Sequence, residues 1–107
     1  MSLNTSVTID PQKPGQRAGL PLFTRYTGNP ILTRQDWPYP MNSIFNAGAV
    51  QLPDGDTLLL CRVEERTGVS HLCAARSSNG VDEWRIDPEP TLLANPREYP
   101  EEIWGIE

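Results

Sequence analysis

From residue 45 onward, apolar residues come in short runs separated by turn residues. Phe45 to Leu52 is the first run. Pro53-Asp54-Gly55 ends it with a strong turn, because proline presets φ at the first position and glycine accepts positive φ. Thr57 to Glu64 follows, with Leu58-Leu59-Leu60 near its centre. Arg66-Thr67-Gly68 turns the chain into Val69 to Arg76, and Ser77-Ser78-Asn79-Gly80 turns it again before a short run from Glu83 to Ile86. Four short strands joined by tight turns predict an all-β antiparallel meander, either one β-propeller blade or one sheet of a sandwich. Leu92-Leu93-Ala94 can open a further strand. Glu98 to Ile103 can make a single helical turn, limited by Pro100. No second copy of the four-strand unit follows, so a complete propeller is not contained here.

The first 44 residues read differently. Six of the 11 prolines fall in the first 40 residues. Residues 1–20 show no period and read as an arm or disordered leader. Residues 21–44 hold Asn29-Pro30 and Trp37-Pro38-Tyr39-Pro40, and each proline pushes its predecessor toward extended backbone. An irregular extended segment is expected, with no helix of appreciable length before residue 97. Only 37% of residues are hydrophobic, so most of the core must come from residues 44–107.

The turns also predict a register. A three-residue Pro-Asp-Gly loop sets Leu52 opposite Asp56, which places Gly48 opposite Leu60 and Asn46 opposite Arg62. Cross-strand partners share a face, so Asn46, Arg62 and Glu64 project together. A two-residue Asp-Gly turn would instead set Ala47 against Arg62 and point Asn46 away. The first register is preferred. The next hairpin, centred on Thr67, sets Leu72 opposite Arg62 and Cys61 opposite Cys73.

Charge narrows the function classes. The net charge is −5 and Lys and Arg do not cluster, so a footprint for nucleic acid is missing. No apolar run nears the roughly 20 residues that span a bilayer. The first residues lack a basic region followed by an apolar one, which argues against a signal peptide and for the cytoplasm. Two cysteines in such a compartment are expected reduced and buried.

Several groups can carry chemistry. Arg62 ends a strongly apolar strand, where a planar guanidinium can hold two sugar hydroxyls or a phosphate. Asn46 offers a donor and an acceptor, and Glu64 adds acceptors on the same face. The plainer reading is a strand-end ion pair of Arg62 with Glu64 or Glu65. Ser77-Ser78-Asn79-Gly80 with Trp84 resembles the Asp-box turn of propeller enzymes, a structural device. His71, the single histidine, shares a face with Cys61 and Cys73, but three ligands from two adjacent strands rarely meet zinc geometry, so no metal is expected. Glu101, Glu102 and Glu107 supply carboxylates, and no spacing selects a catalytic pair among them. Trp37, Tyr39, Tyr99 and Trp104 can stack on sugar rings or pack an extended arm against a larger body.

Taken in order, Gly28-Asn29-Pro30-Ile31-Leu32, Phe45-Asn46-Ala47-Gly48-Ala49, Leu59-Leu60-Cys61-Arg62-Val63-Glu64, the Ser77–Gly80 turn with Trp84, and Gly105-Ile106-Glu107 resemble the N-terminal part of glycoside hydrolase family 130. That family holds β-mannoside phosphorylases and β-mannosidases. The resemblance implies a five-bladed β-propeller, with residues 1–25 as leader or arm and 26–107 as the start of the catalytic domain, about one blade. It implies inverting attack on a β-linked mannosyl oligosaccharide, by phosphate in the phosphorylases and by water in the hydrolases. Phosphorolysis, giving mannose 1-phosphate, is preferred.

Asn46 and Arg62 match positions that bind the mannosyl unit, and Glu64 matches an acidic position near the site. Ala47 stands where some members carry a sugar-contacting Ser. In the family a Gly-x-Glu stretch runs into Asp-Pro-Arg, whose Asp is the general acid, so that acid is expected just after Glu107. No catalytic residue is expected within residues 1–107, which alone should be inactive and poorly folded. No cofactor is implied beyond inorganic phosphate as co-substrate, and no nucleic acid or membrane partner; a homo-oligomer is left open. A non-catalytic carbohydrate-binding β-module and a β-domain that docks a partner through its blade edge are the alternatives from other classes.

Overall fold

The computed structural model describes residues 21–107, and the arm expected over residues 1–20 lies outside them. The chain divides into two units, Met1–Pro30 and Ile31–Glu107. In the first, Asn29 N donates to Tyr26 O at 3.2 Å and closes a turn. The Tyr26 ring lies so close to Gly28 that a Cβ there would overlap it.

In the second unit, the turn residues deliver a four-stranded antiparallel sheet of order β1-β2-β3-β4. The strands are β1 (Ser43–Gln51), β2 (Thr57–Glu64), β3 (Ser70–Ser77) and β4 (Arg85–Ile86). Among the described residues there is no α-helix, and no helix is long and apolar enough to cross a membrane. The second strand has the bounds predicted. The first begins earlier, at Ser43, because Asn42 N already donates to Glu64 O at 2.9 Å. The fourth is shorter than Glu83 to Ile86, because Glu83 takes a φ of 55°, outside strand geometry.

Three corrections concern the segments around the sheet. The proline-rich stretch contains a three-residue 3-10 turn, Arg34–Asp36, within the segment expected to be extended. Asp36 Oδ2 accepts from Thr33 N at 2.7 Å and from Thr33 Oγ1 at 3.1 Å, which caps the turn. Leu92 does not open a strand; it makes one isolated bridge to Leu72. The late helical turn runs Pro100–Trp104, and Pro100 starts it rather than limiting it. At a first helical position the missing proline N–H would have had no intrahelical partner.

The Pro53-Asp54-Gly55 loop behaves as a three-residue turn. Leu52 N donates to Asp56 O at 2.7 Å, and Gly55 takes a φ of 95°. Gly48 therefore pairs with Leu60, and Ala47 with Cys61. Beyond that rung the ladder slips: Ile44 pairs with Val63, so Phe45 and Asn46 together stand across from Arg62. This is a β-bulge, with two residues opposing one. The simple Asn46–Arg62 rung is corrected to this arrangement. The second hairpin keeps its predicted pairing, Arg62 with Leu72 and Cys61 with Cys73.

Alternation sends Cys61 and Val63 of β2, with His71, Cys73 and Ala75 of β3, to one face. Trp37 and Met41 cover that face, and Leu32, Tyr39, Ile44 and Trp84 pack at its margin. Trp37 is thus a core residue, held there by the extended Trp-Pro-Tyr-Pro segment. Both cysteines are buried and unbridged. The opposite face carries Leu60, Arg62 and Glu64 of β2 with Ser70, Leu72 and Arg76 of β3.

At the outer edge of β3, Leu72 exchanges hydrogen bonds with Leu92 at 3.0 and 3.1 Å. The chain then passes through the Pro100–Trp104 turn and returns. Gly105 makes a parallel bridge with Ser70, and Ile106 N donates to Ser70 O at 3.0 Å.

The turn after β3 is closed by its own side chains. Ser77 Oγ, fully buried, donates to Asp82 O at 2.6 Å and accepts from Gly80 N at 3.0 Å. Asn79 Oδ1 accepts from Val81 N at 2.8 Å and Asp82 N at 3.0 Å. Trp84 Nε1 donates to Val81 O at 3.2 Å.

Candidate functional site

The polar cluster that the fold builds without covering it centres on Arg62. Its strand is apolar up to Cys61, so the guanidinium emerges at the end of a rigid element. Three groups fix it. The Phe45 ring lies under it at 5.0 Å from Cζ to the ring centroid. Glu107 Oε2 meets Nη1 at 2.6 Å. Ser70 Oγ stands 3.4 Å from Nε. Both charged side chains keep contact with solvent, so the ion pair adds little to stability; its effect is to aim the guanidinium.

The three residues singled out from the sequence are placed as follows. Asn46 lies in the bulge, exposed, and its side chain makes no hydrogen bond among the described residues. Arg62 is half-buried. Glu64 shares its face, standing between Ser43 of β1 and Ser70 of β3, and makes no ion pair among the described residues. The strand-end pairing of Arg62 with Glu64 or Glu65 is not what forms: Arg62 pairs with Glu107, and Glu65 with His71.

Sequence reasoning missed Ser70, and it read Glu107 as one of three late carboxylates without joining it to Arg62. Glu107 reaches Arg62 because residues 105–106 bridge to Ser70, a contact between distant chain segments that no local pattern announces. The available signal was Gly105, whose φ is 107°. A Cβ there would overlap the backbone N of Ser70, so only glycine allows the approach.

The aromatic candidates divide. Tyr99 and Trp104 are exposed, Trp104 at 83%, and remain open to a ligand. Trp37 and Tyr39 belong to the packed side. Tyr39 OH lies 2.6 Å from His71 Nε2, and His71 Nδ1 lies 2.9 Å from Glu65 Oε2. His71 is 1% exposed, a packed histidine with both ring nitrogens partnered. An open depression of about 370 Å3 lies beside this chain, lined among others by Tyr39, Glu65, Arg66 and His71. Tyr39, His71 and Glu65 already bond one another, which leaves the Arg62 face as the stronger candidate.

Among the described residues, no three His, Cys, Asp or Glu side chains gather in a way that could hold a metal. Burial pushes the Cys61 thiol up to about 11, with the neighbouring Cys73 adding to the effect. Burial also raises Cys73, and it raises the Tyr39 phenol well above its ordinary value. These groups are held neutral, as packing residues rather than nucleophiles.

No family model matches the chain. A curated relative, a 4-O-beta-D-mannosyl-D-glucose phosphorylase of Bacteroides fragilis, is 38% identical over 80 residues. The match covers 71% of this chain and 20% of the relative, so this chain corresponds to about one fifth of the relative's length. Over that stretch the chain is similar to part of a mannoside phosphorylase.

Proposed function

We propose that this chain is part of a β-mannoside phosphorylase of glycoside hydrolase family 130, in which a five-bladed propeller carries the site on its axis. The observation that carries the reading is the return of Gly105-Ile106-Glu107 onto Ser70, which brings Glu107 to 2.6 Å from Arg62. The segment read as leading into a general acid thereby ends beside the residue read as binding sugar. The similarity to a 4-O-β-mannosyl-glucose phosphorylase supports the same substrate class.

In this reading Arg62 donates to hydroxyls of the mannosyl unit, Asn46 offers its amide from the bulge, and Glu64 accepts. Ala47 supplies no hydroxyl, so one contact made by some members is lost. The residue after Glu107 protonates the leaving oxygen. Inorganic phosphate attacks the anomeric carbon from the opposite face, the glycosidic C–O bond breaks, and mannose 1-phosphate leaves with inverted configuration. No cofactor takes part, and a cytoplasmic setting suits an enzyme that keeps bond energy in a sugar phosphate.

The test is product analysis of the complete protein carrying this segment, with 4-O-β-mannosyl-glucose as substrate. Mannose 1-phosphate formed only when phosphate is present supports phosphorolysis. Free mannose at equal rates with and without phosphate assigns hydrolysis instead. No turnover under either condition favours a non-catalytic module.

A further inference from the structure

We propose that Ser70 is a positioning residue for Arg62, acting by tying the guanidinium to the returning 105–107 segment. The inference rests on the reading of Arg62 as a sugar-binding group and extends it to a residue with no direct part in binding.

Ser70 is 3% exposed and sits at the start of β3, on the same face as Arg62. Its hydroxyl has one proton and two lone pairs. The proton goes to Ile106 O, at 2.9 Å. A lone pair faces Arg62 Nε at 3.4 Å. The backbone of the same residue accepts from Ile106 N at 3.0 Å and forms the bridge to Gly105. One buried serine therefore fixes both partners of the Arg62–Glu107 pair, the cation through its side chain and the anion through the segment that carries it.

The nitrogens of Arg62 divide among different neighbours. Nε faces Ser70, Nη1 faces Glu107 and the ring of Phe45 lies under the plane. Nη2 has no partner among the described residues, and it is the nitrogen left for a ligand. A free arginine has many rotamers to lose on binding. Fixing it beforehand lowers that cost and places the open nitrogen in one direction. Glu107 also offsets the charge of the guanidinium, which suits a neutral hydroxyl ligand better than an anion. Removing the Ser70 hydroxyl takes away the tie at Nε and leaves Ile106 O without its side-chain donor.

A double-mutant cycle on the complete protein tests this, read as kcat/KM for phosphorolysis of 4-O-β-mannosyl-glucose. Ser70→Ala is expected to lower kcat/KM about tenfold when Arg62 is present, the low end for a bond to a charged group because the distance is long. On top of Arg62→Ala the same change is expected to cost less than about twofold, since its route of action is gone. An equal loss in both backgrounds would assign Ser70 to packing alone and overturn the proposal, as would no loss in the first background.

If Ser70→Ala does not fold, Ser70→Cys replaces it, keeping the shape with a weak hydrogen-bonding group. Where Arg62→Ala leaves too little turnover to measure, Arg62→Lys takes its place in the cycle, because lysine has no Nε–H at that position. Arg62→Ala with undiminished turnover would instead sink the sugar-binding reading itself. An inactive Arg62→Ala beside an unaffected Ser70→Ala would sink only the present inference.

Discussion

The hydroxyl of Tyr39 lies 2.6 Å from Nε2 of His71, joining the proline-rich segment to the centre of the sheet. Both ring nitrogens of His71 are thereby partnered, Nδ1 by the Glu65 carboxylate and Nε2 by the Tyr39 hydroxyl. The two rings also approach at 5.6 Å between centroids. Tyr39→Phe removes one bond and leaves a buried nitrogen unpaired, which costs about 1–3 kcal/mol. In the complete protein, denaturant unfolding should show an earlier midpoint with the slope unchanged, and hydrogen exchange should quicken around Trp37 to Met41. A midpoint equal to wild type would mean that the bond contributes nothing.

The buried thiols make a second prediction, about pH. Burial raises the folded-state value of Cys61 from 9.0 to about 11 and moves Cys73 in the same direction. Above the unfolded value, the unfolded chain releases protons that the folded chain retains, so unfolding gains. The stabilising contribution is complete below about pH 9 and is lost as pH rises toward 11. Thermal midpoints of the complete protein should fall across that window. At pH 8, peptide mapping after treatment with a thiol reagent should find Cys61 and Cys73 unmodified in the native protein and modified after denaturation; rapid native labelling would contradict their burial.

Turn chemistry after β3 gives a third. Gly80 has a φ of 72°, and a Cβ there would stand 2.7 Å from Thr57 Oγ1. Gly80→Ala is expected to destabilise by about 1–2 kcal/mol from the left-handed backbone. Ser77→Ala should cost a similar amount, about 1–3 kcal/mol, because its hydroxyl is buried and bonded to the turn on both sides. Calorimetry or chemical denaturation decides between this and a turn that tolerates both changes.

Arg62→Lys is a fourth. Lysine keeps the charge but cannot meet Ser70 and Glu107 at once while lying flat on Phe45. On the proposed function, turnover of 4-O-β-mannosyl-glucose by the complete protein should fall roughly tenfold or more, with the thermal midpoint close to wild type, since the exposed ion pair adds little stability. Full activity in the lysine variant would show that charge alone suffices at this position.

The strands were legible because their ends are marked by residues with local reasons to turn. Pro53-Asp54-Gly55 and Gly68 set the hairpins, and their loop lengths set the register of β2 with β3 and of most of β1. The bulge was not legible, since nothing in Phe45-Asn46 marks an extra residue and the slip shows only when both ends of the ladder are paired. Thr33 with Asp36 was a readable capping pattern, masked by the prolines around it. In the site, Arg62 stood out by its place after an apolar run. Ser70 and Glu107 did not, because their roles depend on a return of the chain across more than 30 positions of sequence. Trp37 was ambiguous from sequence, because an aromatic beside proline suits both a sugar platform and a core, and burial alone decided it.

Adjacent residues of a regular strand point to opposite sides, so one strand ordinarily brings one side chain to a given cross-strand neighbour. The slip between Ile44 and Ala47 lifts that restriction and sets an aromatic ring and an amide at the same rung, across from Arg62. Deleting either residue would restore an even ladder and leave every other pairing of β1 with β2 lawful. It would also force a choice between a platform beneath the guanidinium and a polar neighbour beside it. One position of chain length within a single strand therefore governs how many functions that strand can deliver to one point.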